Sequence, residues 1–372
     1  MLNIKLIAYV IVFYAFSMPI NAYSVSNKCK NIKKICDVLD KVVGIKTPMM
    51  IASGTIINDN LIITNRHVVE DHKQFIIKFN DGKIKKAFPL AHNFPADLAL
   101  LTLNKELEVP NELFFSNKIK GLINVVAFDQ GRNSNRIYNK GKIISFSDIQ
   151  KYPQGRIHTT AKSLPGNSGG VAVDEDGNFV GILASGDGNI NEIIPIVLIN
   201  DVLKNTKDKY KDQFLKTGKF IRLCADNLDI SFNTNKNLDE KITKNIDNYC
   251  WKSNNKQLID QAGQTFGRLG DLKRSTKFLE KSIELDPMSP NSLLSLAITY
   301  HIDRKIEKER PLIKRLLKLT PENPQVLRLG VQVAGILKDK EMSSNVLDLM
   351  SVYNKDALPL AEKFIDNAFN SN

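Results

Sequence analysis

The apolar and polar positions divide the chain into two stretches with different periods. Between residues 50 and 200, apolar runs are short and broken by Gly, Asn and Asp. They are Gly54 to Ile57, Leu61 to Thr64, Gln74 to Phe79, Leu98 to Leu103, Asn124 to Phe128, Lys142 to Phe146, Gly170 to Val173 and Phe179 to Ala184. Turn-forming clusters such as Asn58-Asp59-Asn60, Asp81-Gly82 and Asp174-Glu175-Asp176-Gly177-Asn178 separate them. Many short strands at regular spacing predict an all-β barrel or sandwich. Helices are expected on either side, over 31–43 and from Val197 to about Lys216, ending near Gly218.

Between 255 and 365 the pattern is helical and repeats. Leu285-Asp286-Pro287 returns as Leu319-Thr320-Pro321, 34 residues later, and Pro290 returns as Pro324. That period is the tetratricopeptide one, in which each unit is a pair of helices. The first unit carries Gly263, Phe266, Gly270-Asp271, Leu279 and Ile283 as packing residues. The second carries Leu293, Leu296, Ala297, Tyr300 and Ile313, with Glu309 where a small residue is expected. A third unit from about Pro324 reads as degenerate, with Gly330, Ala334, Ser343 and Leu347. The total is about two and a half units, a minimal stack whose open apolar face needs a neighbour. The intervening residues 216–254 are polar, hold Cys224, Cys250 and the only Trp, Trp251, and read as a linker tied down by a disulfide.

Composition refines this division. The hydrophobic fraction of 42% and charged fraction of 25% are those of an ordinary globular chain. The net charge of +12 comes from Lys spread along the chain beside Asn, which reads as solvated surface rather than a nucleic-acid-binding element. At the N-terminus, Lys5, an uncharged apolar run from Leu6 to Met18, and Pro19 to Ala22 have the anatomy of a signal peptide cleaved after Ala22. An uncleaved membrane anchor is the alternative, and membrane association is expected only in that case. The four cysteines, Cys29, Cys36, Cys224 and Cys250, are an even number, as expected for disulfides in an exported chain. Cys29–Cys36 and Cys224–Cys250 are the favoured pairs among three connectivities. No spacing points to a metal or a cofactor.

The strongest chemical signal is Gly166-Asn167-Ser168-Gly169-Gly170. A serine hydroxyl becomes a useful nucleophile only with a base to take its proton and donors to stabilise the oxyanion. Flanking glycines permit a sharp turn that exposes the hydroxyl and converges N–H groups. Among five histidines, His67 stands out because it follows the apolar run 61–64; His72, His92, His158 and His301 read as surface residues. Asp97, at the entrance to Leu98-Ala99-Leu100-Leu101, is the candidate to orient the imidazole.

The order His67, Asp97, Ser168 is that of chymotrypsin-type proteases. Residues 50 to about 212 resemble the trypsin-like peptidase family, particularly its bacterial high-temperature-requirement (Deg-type) branch. The resemblance rests on 53–57, on Ile63-Thr64-Asn65-Arg66-His67-Val68-Val69, on 97–101, on 141–145, on Pro165 to Gly170, and on Ile194-Pro195-Ile196. It implies two packed antiparallel β-barrels with the site between them. It further implies His67 as general base and then acid, Asp97 as orienting carboxylate, Ser168 as acylating nucleophile, and the N–H groups of Gly166 and Ser168 as oxyanion hole. Two departures stand out: helical repeats replace the expected strand-adding peptide-capture domain, and no activation cleavage site is evident.

The expected organisation is a signal peptide over 1–22, an all-β double-barrel peptidase domain over 23–215, a linker over 216–254 and all-α tetratricopeptide-like repeats over 255–369. On the alignment, Lys162, Ser163, Leu183, Ala184 and Ser185 border the primary pocket. Lys162 facing the pocket would favour an acidic residue before the cleaved bond; facing solvent it would not. The expected function is a secreted or periplasmic serine endopeptidase acting on protein or peptide substrates, with a protein partner or substrate on the repeats. The alternative is a weak or inactive peptidase-like scaffold whose repeats bind other proteins. An esterase is disfavoured because α/β-hydrolases place their serine on a strand–turn–helix elbow.

Overall fold

The computed structural model describes residues 29–48, 50–104, 119, 121–233 and 238–371. The expected signal peptide, 1–22, lies outside the described residues. A short helix α1 (Lys33–Asp37) and a turn of 3₁₀ helix (Val38–Lys41) lead into β1 (Val42–Lys46). The helix expected over 31–43 therefore ends early. Val42 and Val43 are β-branched, fully buried, and paired with Thr55 and Gly54 of the next strand.

Strands β1, β2 (Ile51–Asn58) and β3 (Leu61–Thr64) are followed by a four-residue helix α2 (Arg66–Val69), then β4 (Phe75–Lys78), β5 (Ile84–Leu90) and β6 (Ala99–Thr102). They close in the order β1-β2-β3-β6-β5-β4. A second ring uses β7 (Leu122–Asp129), β9 (Gly141–Phe146), β10 (Ile157–Thr159), β11 (Val171–Asp174), β12 (Phe179–Gly186) and β13 (Asn191–Pro195), closed by β11 on β7, with β8 (Ser134–Ile137) beside β7. The chain thus has the double β-barrel expected, followed by helices. Leu61, Ile63, Leu98 and Leu100 of the first barrel pack with Ile182, Ala184, Ile194 and Ile196 of the second. This apolar seam brings together the segments that carry the candidate chemistry.

The helical region begins with α3 (Leu198–Lys204) and α4 (Lys211–Phe232). The single helix expected from Val197 to Lys216 is broken because Thr206 forms a β-bridge with His92 and Lys207 N–H donates to the Ala91 carbonyl at 3.0 Å. Gly218 does not end α4 but lies within it. A Cβ there would sit 1.9 Å from the Glu70 carbonyl oxygen, so glycine allows α4 to pack directly on the turn after α2. Phe214 of α4 is part of the first barrel's core, with Val68, Val69 and Phe75.

The segment read as a linker, 216–254, holds the rest of α4 and α5 (Glu240–Ser253). Its apolar residues are few but helically spaced: Ile221, Cys224, Leu228, Ile246 and Cys250 build a core with Phe266 and Phe278. Cys224 and Cys250 are disulfide-bonded to each other, and Cys29 and Cys36 are oxidised as well.

Then follow α6 (Lys256–Arg268), α7 (Leu272–Leu285), α8 (Pro290–Ile302), α9 (Ile306–Leu319), α10 (Pro324–Ile336), α11 (Lys340–Tyr353) and α12 (Leu358–Asn370). The starts of α6, α8, α10 and α12 are 34 residues apart, as are those of α7, α9 and α11. Pro290 and Pro324 occupy the first helical turn behind the side-chain caps Ser289 and Asn323. The third pair is complete, and α12 covers its end. Glu309, the residue too large for its slot, is buried and bonded to His301 Nδ1 at 2.9 Å.

Candidate active site

The pairing of β3 with β6 sets Thr64 opposite Ala99, so the residues just beyond, Arg66 and Asp97, meet across the end of the ladder. Arg66 N–H and Asn65 Nδ2 donate to the Asp97 carbonyl at 3.2 and 3.1 Å. The backbone at Asp97 is thereby fixed to the turn that carries His67. The Asp97 carboxylate accepts the His67 N–H on Oδ1 at 3.0 Å and lies 2.8 Å from His67 Nδ1 through Oδ2. Asp97 is buried, whereas His67 is partly exposed. Burial pushes the Asp97 carboxyl up, but His67 and Arg156 outweigh it and hold it below its ordinary range. Behind the turn, the Arg66 guanidinium stacks 3.7 Å over the Phe214 ring and donates to the Phe214 carbonyl. In this way α4 supports the His67 turn from the rear.

The turn 166–170 is fixed against the first barrel. Gly169 has φ +88°, and a Cβ there would lie 1.9 Å from the Ser53 carbonyl oxygen, so only glycine fits. Ser53 N–H donates to the Ser168 carbonyl at 2.8 Å, and Thr55 Oγ1 to the Gly169 carbonyl at 3.0 Å. The Asn167 side chain is buried and pins the turn at both ends, donating to the Phe128 carbonyl at 2.9 Å and accepting Leu164 N–H at 2.7 Å. Among the described residues, the N–H groups of Gly166 and Ser168 meet no protein acceptor. The Ser168 hydroxyl donates to the Ala184 carbonyl at 2.9 Å, and no hydrogen bond among the described residues joins it to His67.

A cleft of about 790 Å³ opens beside Ser168. Of the expected pocket residues, Ser163, Leu183, Ala184 and Ser185 line it. Lys162 does not; its ammonium is exposed and donates to the Gly188 carbonyl at 3.2 Å, on the loop that forms one wall. Phe232, Gln257 and Gln261 line the same cleft from the helical region, which no sequence pattern indicated.

Sequence reading also missed the buried polar groups behind Asp97. Arg156 reaches Asp97 Oδ2 at 3.5 Å, Glu192 Oε2 at 3.1 Å and Ser185 Oγ at 3.0 Å. Glu192 in turn bonds the Lys256 ammonium, and His158 Nε2 bonds Asp286 at 2.9 Å. Asn255 Nδ2 donates to Asp97 Oδ1 at 2.8 Å. His92 and His158, read as surface residues, are buried. The available signal was a charged residue inside an apolar strand: Glu192 is flanked by Ile190, Ile193 and Ile194. Such a charge is retained inside only when it is paired. His158, Glu192 and Asp286 also form a cluster of metal-ligating types. The Lys256 ammonium already supplies the positive charge there, bonded to Glu192 and 3.9 Å from Asp286. Arg156 and Lys256 help hold Glu192 well below the usual carboxylate range against the opposing effect of burial.

Residues 52–182 match the family model of the trypsin-like peptidase domain. Over 186 residues the chain is 28% identical to serine endoprotease DegS of Escherichia coli K12, covering 46% of this chain and 50% of DegS. It is 30% identical over 189 residues to the putative protease Do-like 13 of Arabidopsis thaliana, covering 47% and 37%. It is 27% identical over 182 residues to a probable periplasmic DegP-like serine endoprotease of Chlamydia pneumoniae, covering 44% and 34%. The chain spans about half the length of DegS. Among solved structures, the HtrA-type protease AlgW with a tripeptide aligns at 25% identity over 46% of this chain and 61% of its own, with a TM-score of 0.39.

Proposed function

We propose that the chain is a serine endopeptidase, with Ser168 as nucleophile, His67 as general base and acid, and Asp97 as orienting carboxylate. The observation that carries this reading is the bonded His67–Asp97 pair beside a serine turn whose Gly166 and Ser168 N–H groups are unengaged. When a peptide enters the cleft, the Ser168 hydroxyl leaves the Ala184 carbonyl and gives its proton to His67 Nε2 as Oγ attacks the scissile carbonyl carbon. The two N–H groups receive the developing oxyanion. His67 then protonates the departing amine; water, deprotonated by His67, attacks the acyl carbon, and His67 returns the proton to Ser168 Oγ as the C–Oγ bond breaks and the acid leaves. The Asp97 carboxylate stabilises the imidazolium at both steps.

The charged group among the cleft's lining residues is Asp187, which disfavours an acidic side chain preceding the cleaved bond. The 34-residue spacing of the helix starts supports a tetratricopeptide-like stack that binds a substrate or partner protein. Export to the periplasm or outside the cell fits the four oxidised cysteines.

The test is labelling with a fluorophosphonate probe and cleavage of casein. Both are expected for the wild type. Ser168→Ala should abolish labelling and lower cleavage by on the order of 10⁴-fold or more. The scaffold reading draws on the Ser168–Ala184 hydrogen bond, which engages the hydroxyl with a carbonyl rather than with His67. It prevails if the wild type is neither labelled nor cleaves casein and Ser168→Ala keeps full biological activity.

A further inference from the structure

We propose that Asn255, at the turn from α5 into α6, is a positioning residue for Asp97, so that the helical region completes the peptidase site. The inference rests on the endopeptidase reading above and deepens it.

Each Asp97 carboxylate oxygen has two partners. Oδ2 meets His67 Nδ1 and Arg156, and Oδ1 accepts the His67 N–H and Asn255 Nδ2. Three of these contacts come from the two barrels; the fourth comes from a residue 158 positions further along. Without Asn255, Oδ1 is held by the His67 N–H alone, from the same residue that Oδ2 orients. The second donor on Oδ1, from a separate element, restrains rotation about the Cβ–Cγ bond and keeps Oδ2 aimed at the imidazole.

The Asn255 side chain is itself held at both ends. Its carbonyl oxygen caps α6 by accepting Leu258 N–H at 3.2 Å, which leaves the amide nitrogen for Asp97. The turn around it is clamped to the second barrel. Gln154 donates to the Asn254 carbonyl at 2.9 Å and accepts Lys256 N–H at 3.0 Å. The next residue, Lys256, is anchored on Glu192, and the Cys224–Cys250 bond ties α5 to α4. Asn255 is buried, with its amide against Asp97. An Asp or Ser at this position also caps the helix, but neither carries an amide donor reaching Asp97.

The experiment uses the full chain with Asn255→Asp and Asn255→Ser. Steady-state kinetics on a peptide substrate are measured across pH, with thermal unfolding alongside. The downfield Nδ1 proton of His67, which is visible by NMR with or without peptide cleavage, is followed in the same variants. Both variants keep the cap; Asn255→Ser is expected to unfold near the wild type, and Asn255→Asp, which sets a second buried carboxylate against Asp97, at a lower temperature. Their kcat falls roughly tenfold to a hundredfold with KM little changed, the range for a misplaced catalytic group.

In Asn255→Asp the added carboxylate faces Asp97, which is otherwise faced by His67 and Arg156, with Arg66 and Glu192 beyond. Like charge raises the proton affinity of the pair, so the acid limb of the rate profile and the loss of the His67 proton signal move to higher pH. If Asn255→Asp does not fold, Asn255→Ser carries the test through its kcat and its altered His67 proton. Wild-type kcat and an unchanged His67 proton in the folded variants overturn the proposal. Absence of wild-type labelling and cleavage overturns the endopeptidase reading instead, and the His67 proton still decides whether Asn255 orients the pair.

Discussion

The turn at 166–170 draws its groups from five consecutive residues, whereas the buried network behind Asp97 draws them from positions 97, 156, 192, 256 and 286. The turn is specified locally. Its glycines and Asn167 satisfy their own geometry within a few residues and lean on β2 for support. The network is specified only by the assembled fold. Its members lie at the entrance to β6 of the first barrel, on loops and strands of the second, and at the first helices of the repeat region, and each charge is tolerated inside because the others are there. One site therefore has a locally encoded front and a back that depends on two regions being docked.

The comparison is most directly broken at Lys256, whose ammonium lies between Glu192 and Asp286 at the junction of the two regions. Lys256→Met keeps the length and volume but leaves Glu192 with Arg156 as its remaining cation. Removing one partner of a buried pair costs about 3–5 kcal/mol, and chemical denaturation should show a loss of that size. Adding Glu192→Gln to Lys256→Met should recover part of it, a coupling that a double-mutant cycle measures. A loss below about 1 kcal/mol would mean that the Lys256 ion pair contributes little to holding the two regions together.

Acid should act on the same network with a definite sign. Burial raises the Asp97, Glu192 and Asp286 carboxyls, but their cationic and histidine partners prevail and hold all three below the ordinary range. A depressed acid contributes stability above its unfolded pKa, about 4, and loses it as pH falls through the folded value. Asp260 runs the other way, since its burial raises its pKa and favours its protonated form. The stability that the three depressed groups contribute should therefore be present near neutral pH and be lost below about pH 4, while Glu70, raised to about 7 chiefly by burial, works in the opposite sense between about pH 4 and 7. In Lys256→Met, Glu192 loses a principal counter-charge, and the onset should move to higher pH. Unfolding followed by intrinsic fluorescence as a function of pH tests both statements.

The legibility of each part follows from where its forces act. Strand runs such as 61–64 and 98–101 are apolar throughout and are buried on both sides, so their pattern alone placed them. The 34-residue period survived because equivalent positions keep similar residues: a small one at Gly263 and Ala297, a large apolar one at Leu279, Ile313 and Leu347. β5 was not legible: Ile84, Lys85 and Lys86 are exposed, and its pairing with β4 and β6 comes from barrel closure rather than from an apolar pattern. Helices α4 and α5 were hidden by composition, since their polar faces outnumber a thin apolar stripe. Asn255 and Lys256 fell at the start of the expected repeats, 255–369, where neither belongs to the apolar pattern. An asparagine and a lysine announce nothing in sequence until a strand from another region arrives with a carboxylate.

The smallest effect separates surface from interior at the same junction. Lys142 of β9 and Glu322, just before α10, also join the two regions, 3.3 Å apart, but both side chains are exposed. Water and mobile ions screen this pair, and ordering two long side chains offsets most of what attraction remains. Lys142→Ala should therefore change stability by no more than about 0.5 kcal/mol, and less at high salt. The cost of Lys256→Met should persist at high salt, because counter-ions do not enter the space around Glu192. Measuring both variants at low and high ionic strength distinguishes a junction held by its interior from one held by its rim. A salt-sensitive loss at Lys142 comparable to that at Lys256 would move the weight of the junction to the surface.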